Sequence, residues 1–408
     1  MARPHSVSAQ TLSIDRLRRA LSDRSDHVPG TPFGIYLHVP YCARRCGYCA
    51  FTTYVVAAPA AAAAAHERFV AGAVAELEVA AALLAGAPPV STVFVGGGTP
   101  SLLDPSLLAA LLDAVRDQFD VTDDLEVTVE ANPGGLVDGG STEDAFGTWA
   151  AAGVTRASFG LQSAVPRVLE LLDRTHSPDA AANAVAAAHA AGITHTSVDL
   201  IYGTPGETAA DWDASLDAAV SAGTDHVSAY ALGIEPGTKL AARVRDGSLP
   251  QPSGDEAADR YQRTEDLLGA AGFEWYEISN WSRSPGSQCR HNLLYWRNHH
   301  WWGVGPGAHS HVAGVRWSNL KDPDAWATGM VDDDPQLNDL EVLGPDEQAL
   351  ERLMLGVRLA EGLDVAGLPD DAVDRVVAHG LAAVDGGRLV LTLDGRLLAD
   401  TVVRALAR

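Results

Sequence analysis

The stretch HVPYCARRCGYC, residues 38–49, is the most informative part of this chain. It contains three of the four cysteines, Cys42, Cys46 and Cys49, in the spacing C-x3-C-x2-C. A 4Fe-4S cluster usually takes four cysteines, so three thiolates leave one iron open to another ligand. The fourth cysteine, Cys289, lies far along the sequence. The spacing therefore predicts a cluster with one exchangeable position.

A zinc site and a disulfide are the alternatives for this loop. Zinc needs a fourth ligand, for which His38 and Cys289 are candidates, but zinc motifs usually add a second ligand pair that this sequence lacks. A disulfide framework expects an even number of cysteines in a short secreted chain. This chain has 408 residues, and residues 1–30 lack the apolar core of a signal peptide. We therefore favour the cluster.

Composition limits the classes of partner. The net charge is −24, from 29 basic and 53 acidic residues. Phosphate backbones and anionic lipids attract an excess of Lys and Arg, so we expect no nucleic-acid partner and no electrostatic docking on lipid. The most apolar stretch, residues 54–65, contains Pro59 and is mostly alanine, which is too short and too weakly apolar to cross a bilayer. We expect a cytoplasmic protein without a transmembrane segment.

Strand-like runs alternate with Ala- and Leu-rich helical runs along the chain. The predicted strands are Phe33–Val39, Thr92–Val95, Glu126–Glu130, Arg156–Phe159, Thr196–Ile201 and His226–Leu232. The predicted helices between them include His66–Leu84, Pro105–Gln118, Pro178–Ala191 and Ala209–Ala222. Six such repeats predict an α/β fold with a parallel sheet, in which functional residues gather at the carboxyl ends of the strands.

The pattern changes after Asn280. Residues 281–343 are rich in Trp, His, Gly, Asn and Pro, which predicts irregular structure. A smaller α+β unit resembling a winged helix is predicted from Gly344, with helices at Asp346–Leu359, Asp370–His379 and Gly395–Leu406 and a hairpin at Leu381–Leu393. This unit has seven basic and eleven acidic residues, which favours packing or covering a substrate over binding DNA. The predicted division is an extension (1–32), a core (33–280), the irregular segment (281–343) and the C-terminal unit (344–408).

The cysteine spacing, with an aromatic residue just before the last cysteine, resembles the radical S-adenosylmethionine (radical SAM) superfamily. In that family the amino and carboxylate groups of SAM chelate the open iron, and the cluster donates an electron that breaks a carbon–sulfur bond. VGGGTP, residues 95–100, resembles the superfamily motif that receives the SAM amino group. Consecutive glycines permit positive φ and let a ligand touch backbone N–H groups, although an ordinary tight turn is the alternative.

Four further polar residues lie in predicted strands or after them. Glu130 suits an ammonium group or a ribose hydroxyl, with a solvated acid as the alternative. Gln162 offers both a donor and an acceptor. Arg174 offers a planar cation for a carboxylate, with a surface salt bridge as the alternative. Asp199 is a lone acid in an apolar strand, so it needs a partner such as an adenosyl hydroxyl.

Together these segments resemble the oxygen-independent coproporphyrinogen III oxidase-like branch of the superfamily, over nearly everything from Phe33 to the C terminus. The resemblance implies a (β/α)6 partial barrel followed by the winged-helix-like domain. It implies a 4Fe-4S cluster on Cys42, Cys46 and Cys49. It implies that the SAM contacts are Tyr36, Gly97, Gly98, Thr99, Glu130, Gln162, Arg174, Asp199 and Ala231.

Two departures from the oxidase point to the heme chaperone group of this branch. Phe51 stands where the oxidase has the fourth cysteine of C-x3-C-x2-C-x-C. HNLLYW, residues 291–296, resembles the H-N-x-x-Y-W signature of the chaperones, which bind heme and deliver it to heme-requiring proteins such as respiratory enzymes. This resemblance implies heme, a heme-receiving apo-protein and an electron donor as partners. Whether the chain is also an enzyme stays open.

His291 is the candidate heme ligand, through a neutral imidazole, and a structural histidine is the alternative. Rival ligands are His299, His300, His309, His311 and Cys289. Two other functions remain. One is the coproporphyrinogen III dehydrogenase itself, which converts propionates to vinyl groups with loss of carbon dioxide in heme biosynthesis. The other is an iron–sulfur regulator whose winged unit binds DNA, which the acidic C-terminal unit disfavours.

Overall fold

The structure is a computed structural model that describes residues 12–24, 30–56, 59–133 and 142–407. The strands are β1 (Leu12–Ser13), β2 (Phe33–Val39), β3 (Tyr41–Cys42), β4 (Tyr54–Val55), β5 (Val90–Gly97), β6 (Val121–Ala131), β7 (Arg156–Gln162), β8 (His195–Tyr202), β9 (His226–Ala231), β10 (Glu274–Glu277), β11 (Asn280–Ser282), β12 (His300–Val304), β13 (His309–Val312), β14 (Val315–Asn319), β15 (Gln336–Val342), β16 (Leu363–Asp364), β17 (Ala382–Asp385) and β18 (Arg388–Leu391). The helices are α1 (Ile14–Ser22), α2 (Pro59–Leu83), α3 (Pro105–Gln118), α4 (Thr142–Ala151), α5 (Pro166–Leu171), α6 (Asp179–Ala190), α7 (Ala209–Ser221), α8 (Lys239–Arg245), α9 (Gly254–Ala270), α10 (Arg290–Trp296), α11 (Pro323–Val331), α12 (Pro345–Gly356), α13 (Asp370–Ala378), α14 (Leu393–Leu397) and α15 (Ala399–Leu406).

Thirteen strands form one sheet, in the order β1-β15-β14-β13-β12-β2-β5-β6-β7-β8-β9-β11-β10. The centre of this sheet, from β12 to β9, is parallel, and both flanks are antiparallel. The six predicted strands are β2 and β5 to β9, which lie side by side in chain order. The predicted α/β fold with a partial barrel of six parallel strands is confirmed.

Buried apolar residues explain why these segments form strands and helices. In β2, every residue except Tyr36 is buried, as is typical of parallel strands covered on both faces. Helix α2 buries Phe69, Ala73, Leu77 and Ala80, spaced three or four residues apart, against the sheet. Helix caps set several boundaries, as at α3, where the Asp104 carboxylate accepts from Ser106 N at 2.8 Å. Within the described ranges, no helix is long and apolar enough to span a membrane.

The prediction of irregular structure in residues 281–343 is wrong, because this segment contains α10, α11 and β12 to β15. Strand β12 extends the parallel sheet beside β2, with His300 opposite Phe33 and Val304 opposite Leu37. The glycines of the segment allow close backbone approach here. A Cβ at Gly305, where φ is 112°, would lie 2.5 Å from the His38 carbonyl oxygen. Side-chain composition therefore misled the prediction.

The C-terminal unit has the predicted winged-helix-like architecture. A three-stranded sheet, β16-β18-β17, packs with α12, α13 and α15 around its own apolar core, which includes Val357, Val376, Leu389 and Val402. The hairpin turns at Gly386 and Gly387, whose φ values of 54° and 80° suit glycine. Of the predicted extension, 1–32, the structure places β1 beside β15 at one sheet edge. The predicted domain boundaries stay predictions.

Candidate functional site

One cavity of about 920 Å³ lies where the parallel strands end at their carboxyl termini. This volume is near the upper end of the range of ~300–1,000 Å³ that is usual for ligand pockets. Every predicted cluster and SAM residue lines it: Tyr36, Cys42, Cys46, Cys49, Gly97, Gly98, Thr99, Glu130, Gln162, Arg174, Asp199 and Ala231. His291 is the one predicted site residue that does not line it. The fold therefore brings together residues that are up to 195 positions apart, from Tyr36 to Ala231.

The three cysteines of the loop are free thiols, with Cys42 buried and Cys46 and Cys49 partly exposed. Thr99 Oγ1 lies 3.7 Å from Cys42 Sγ, and Arg174 Nη1 lies 3.5 Å from Cys46 Sγ. Hydrogen-bond donors beside thiolates stabilise their negative charge. Burial raises the pKa of the Cys42 and Cys49 thiols, so binding iron must displace their protons. The donor set fits a cluster held by three thiolates.

The zinc alternative finds no fourth ligand in this arrangement. The Tyr36 hydroxyl donates to His38 Nδ1 at 2.9 Å, and His38 Nε2 donates to the Thr52 carbonyl at 2.9 Å. Both ring nitrogens of His38 are therefore engaged. The Cys289 thiol instead lies 3.7 Å from a Glu126 carboxylate oxygen. Across the described ranges, no three His, Cys, Asp or Glu side chains form a site for a single metal ion.

Two glycines let the end of β5 pass directly beneath the cysteine loop. A Cβ at Gly97, where φ is 112°, would lie 2.7 Å from the His38 ring. A Cβ at Gly98 would lie 2.5 Å from the Tyr41 carbonyl oxygen and 3.0 Å from Cys42 Sγ. The Gly98 N–H also donates to the Val39 carbonyl at 2.7 Å. Both positions therefore require glycine because a side chain would clash with the cysteine loop. An ordinary tight turn would require glycine only for its backbone conformation.

Two carboxylates face the cavity from neighbouring parts of the sheet. Glu130 Oε2 accepts from the Gly97 N–H at 3.1 Å, and both Asp199 oxygens accept from Ser158 Oγ at 3.1 Å. Burial, reinforced by the charge of Asp199, raises the pKa of Glu130 to about 8. Burial raises the pKa of Asp199 to about 6. A cationic ligand with hydroxyl groups would relieve both effects, because it offers a positive charge and hydrogen-bond donors.

Arg174 and Gln162 form the side of the cavity beneath the loop before α6. Arg174 Nη2 donates to Asn132 Oδ1 at 2.8 Å and to the Gly160 carbonyl at 2.9 Å. These bonds hold the Arg174 guanidinium in the cavity. The alternative considered from the sequence, a salt bridge at the protein surface, is therefore not what the structure shows for Arg174. Gln162 has a φ of 63° and follows a register shift in β7. Strained backbone of this kind is common at ligand sites.

Asp173, in the loop before α6, forms salt bridges with the cysteine loop and with α8. Its carboxylate pairs with Arg44 of the cysteine loop at 3.2 Å and with Lys239 of α8 at 2.8 Å. The backbone of α8 adds a second connection, since Leu240 N donates to the Gly47 carbonyl at 2.9 Å. The cysteine loop is thus held by α8 on one side and by the loop before α6 on the other.

His291 lies in the core, with no exposed surface. Hydrogen bonds of 2.8 Å join its Nδ1 to Thr92 Oγ1 and its Nε2 to the Tyr295 hydroxyl. Burial lowers the pKa of His291 to about 3, so the ring is neutral. Asn292 and Tyr295 of the same helix do line the cavity. Heme ligation by His291 stays a prediction, and it would require breaking at least one of these hydrogen bonds.

The rival ligands differ in their surroundings. His309 is exposed, His299 is partly buried, and His300 and His311 are buried. The cavity is lined by Cys289 and by none of these four histidines. Burial raises the pKa of the Cys289 thiol to about 12, so it is a neutral thiol.

Sequence reasoning missed several cavity residues. Ser158 shares a face of β7 with Gly160 and Gln162, so strand alternation would have found it. Tyr230 lines the cavity and is 42% exposed, which marks it as a residue at the cavity mouth. Phe51, which the sequence did single out, also lines the cavity and is 66% exposed. His176 also lines the cavity, two residues after Arg174. No motif in the sequence points to His176.

The chain is similar to known proteins over nearly its whole length. The model of the radical SAM superfamily matches residues 36–219. Heme chaperone HemW of Mycobacterium tuberculosis is 51% identical over 382 residues, which is 93% of this chain and 96% of the relative. Heme chaperone HemW of Escherichia coli is 36% identical over 69% of this chain and 70% of the relative. A mouse mitochondrial protein, radical S-adenosyl methionine domain-containing protein 1, is 34% identical over 92% of this chain and 87% of the relative.

Among solved structures, coproporphyrinogen III oxidase from Escherichia coli matches with a TM-score of 0.79. The match covers 98% of this chain and 96% of that chain, and the sequences are 22% identical. At this identity the likeness shows the shared fold alone. The high identity and coverage of the curated relatives show that the chain belongs to the HemW family of the radical SAM superfamily.

Proposed function

We propose that this protein is a heme chaperone that binds a 4Fe-4S cluster, SAM and heme, and delivers heme to apo-proteins such as respiratory enzymes. One observation carries the proposal. A single cavity unites three free thiols with the predicted SAM contacts, while Phe51 stands at its mouth where the oxidase has a fourth cysteine. The names of the relatives that are similar over most of the chain support the same function.

Cys42, Cys46 and Cys49 would hold the cluster, and Arg174 and Thr99 would donate to its thiolates. When bound, the cluster supplies one electron for cleaving SAM. Glu130 is positioned to take the SAM ammonium group together with the Gly97–Gly98 backbone, and Asp199 to accept from the ribose hydroxyls. Tyr36, Gln162 and Ala231 line the same cavity and would complete the enclosure of the nucleotide. These assignments are proposals that follow from the shared cavity.

The electron donor has to approach the cluster from the surface. Arg45, Ala50 and Phe51 are exposed beside the partly exposed Cys46 and Cys49, so this loop is the shortest route from solvent to the thiols. We therefore propose that the donor docks here. A cytoplasmic location and the lack of a nucleic-acid partner stay predictions.

Anaerobic reconstitution followed by two parallel measurements tests the function. The first is a hemin titration of the cluster-loaded chain, read by the Soret band, and we expect saturable binding. The second is incubation with coproporphyrinogen III, SAM and reductant, and we expect no protoporphyrinogen. Cluster-loaded protein that binds no heme would overturn the chaperone function. Turnover of coproporphyrinogen would show instead that the chain is the dehydrogenase.

A further inference from the structure

We propose that His176 ligates the heme iron, in a surface groove that shares a wall with the SAM cavity. This inference rests on the proposed heme-binding function and names the site. The groove, of about 790 Å³, lies between the cysteine loop, α5, the loop that joins α5 to α6, and α8. We call it the rim groove and define it by Arg44, Arg167, Leu169, Arg174, His176 and Arg243. Arg44, Arg174 and His176 line both the rim groove and the SAM cavity.

The hydrogen bonding of His176 prepares it for a metal. Its Nε2 donates to the Leu161 carbonyl at 3.0 Å. Because a carbonyl only accepts, the proton is on Nε2 and the lone pair is on Nδ1. Within the described ranges, Nδ1 takes part in no hydrogen bond. Histidines that bind metals usually donate their other N–H to a carbonyl or carboxylate, which fixes the tautomer and the ring orientation.

The charge state of the ring supports the same role. Burial lowers the pKa of His176, and the neighbouring Arg174 guanidinium lowers it further. The imidazole is therefore neutral at physiological pH, and a neutral imidazole is the form that binds iron. His291 is also neutral, but both of its nitrogens are engaged and it has no exposed surface. Of these two histidines, only His176 lines a cavity that solvent reaches and has a ring nitrogen without a hydrogen bond to the described residues.

The rim groove also suits the carboxylates of a porphyrin. Four arginines line it against two acids, Glu170 and Asp173, in a chain whose net charge is −24. Arg44 and Arg167 pair with Asp173 and Asp211. Arg243 forms no salt bridge to any residue that the structure describes. Arginine is the residue best suited to bind carboxylates, because its planar fork matches their geometry.

The experiment compares histidine variants of the full chain after anaerobic cluster reconstitution. Hemin is titrated into wild type, His176→Ala, His176→Met and His291→Ala, with the exposed His379→Ala as a matched control. Binding is read from the Soret band, and the iron ligand from the EPR spectrum. We expect His176→Ala to weaken heme binding by about tenfold or more, as removal of groups at metal sites commonly does. We expect His176→Met to change the Soret position and EPR signal, because axial ligand identity sets both.

The outcomes separate the site from the function. If wild type binds no heme, the proposed function fails and the site fails with it. If wild type binds heme and both His176 variants keep its affinity and spectra, the function stands and this site is wrong. Loss of the native spectrum in His291→Ala alone would assign the ligand to His291. Retained cluster absorbance in each variant checks folding, and the His176→Met spectrum tests ligation without depending on loss of binding.

Discussion

Replacing Glu76 with alanine should destabilise the part of the sheet that follows β12. Glu76 lies on α2 and is 1% exposed. Its carboxylate accepts four hydrogen bonds, from Trp302 Nε1 at 3.2 Å, Asn319 Nδ2 at 2.7 Å, Trp326 Nε1 at 2.9 Å and Gly305 N at 2.9 Å. These donors come from β12, the turn after it, β14 and α11. One side chain thus joins α2 to β12, β14 and α11, which lie in the segment that was predicted to be irregular.

The size of the effect follows from the donors that the change leaves unpaired. A buried donor without a partner costs about 1–3 kcal/mol. The Asn319 amide also donates to the Gly303 and Gly305 carbonyls, so the change leaves three donors without an acceptor. Three such donors would cost about 3–9 kcal/mol, but water entering the space of the lost carboxylate will satisfy some of them. We therefore expect a loss of about 4–6 kcal/mol. This is a large fraction of the roughly 5–15 kcal/mol by which domains are usually stable.

Urea denaturation, followed by tryptophan fluorescence, measures the loss. Glu78→Ala is the matched control, because Glu78 is exposed on the same helix and should change stability by less than about 0.5 kcal/mol. Glu76→Gln should fall between the two, since an amide keeps one acceptor oxygen but turns a second donor toward the N–H groups. A loss below about 1 kcal/mol for Glu76→Ala would refute the reasoning, because it would mean that the three donors find other partners.

Three other changes probe the cavity. Gly98→Ala should reduce cluster loading, measured as iron and sulfide per chain, because the new Cβ would lie 2.5 Å from the Tyr41 carbonyl oxygen; normal loading would contradict the packing argument. Cys46→Ala should abolish the cluster EPR signal, whereas Cys289→Ala should retain it; equal losses would show that Cys289 is a cluster ligand. SAM affinity, measured by calorimetry, should rise from pH 6 to about pH 8, because burial raises the pKa of Glu130 to about 8 and the cation binds the ionised form. Protonated Glu130 also stabilises the ligand-free fold; this contribution is full below about pH 4.5 and is lost as the pH rises through about 8. Glu130→Gln should flatten the pH dependence of SAM affinity and that of the free energy of unfolding. An unchanged pH dependence of SAM affinity would exclude Glu130 as the titrating group.

The sequence predicted the parallel core well because its signals are local. Phe33–Val39 is a mostly apolar run, and the structure places β2 at the same residues. Pro105 follows the capping residue Asp104, and α3 begins at Pro105 as predicted. Helix α2 begins at Pro59 instead of His66, because the alanines before His66 continue the helix without forming an amphipathic pattern.

The sequence could not reveal how the later segments pair. Strand β12 lies beside β2, although 260 residues separate their ends at Val39 and His300. The turn that follows β12 contains Gly305 and Gly307, which read as loop signals, yet their backbone packs against His38 and Thr52. A contact between two distant backbones leaves no periodic trace in side-chain composition. The acid Glu76, which accepts hydrogen bonds from this region, is buried in the structure. From the sequence alone, it would be taken for an ordinary exposed polar residue of a helix.

The HNLLYW stretch, residues 291–296, also has a structural role, because it joins α10 to other parts of the protein. Glu126 accepts from His291 N at 3.0 Å and so caps the start of α10. His291 then joins Thr92 of β5 to Tyr295 one helical turn later, which fixes the Tyr295 ring against the cavity. Trp296 packs in a cluster that contains Leu359, at the start of the C-terminal unit. These contacts connect α10 to β5, β6 and the C-terminal unit, and they engage both ring nitrogens of His291. Heme ligation by His291, which stays a prediction, would have to replace one of the two ring hydrogen bonds.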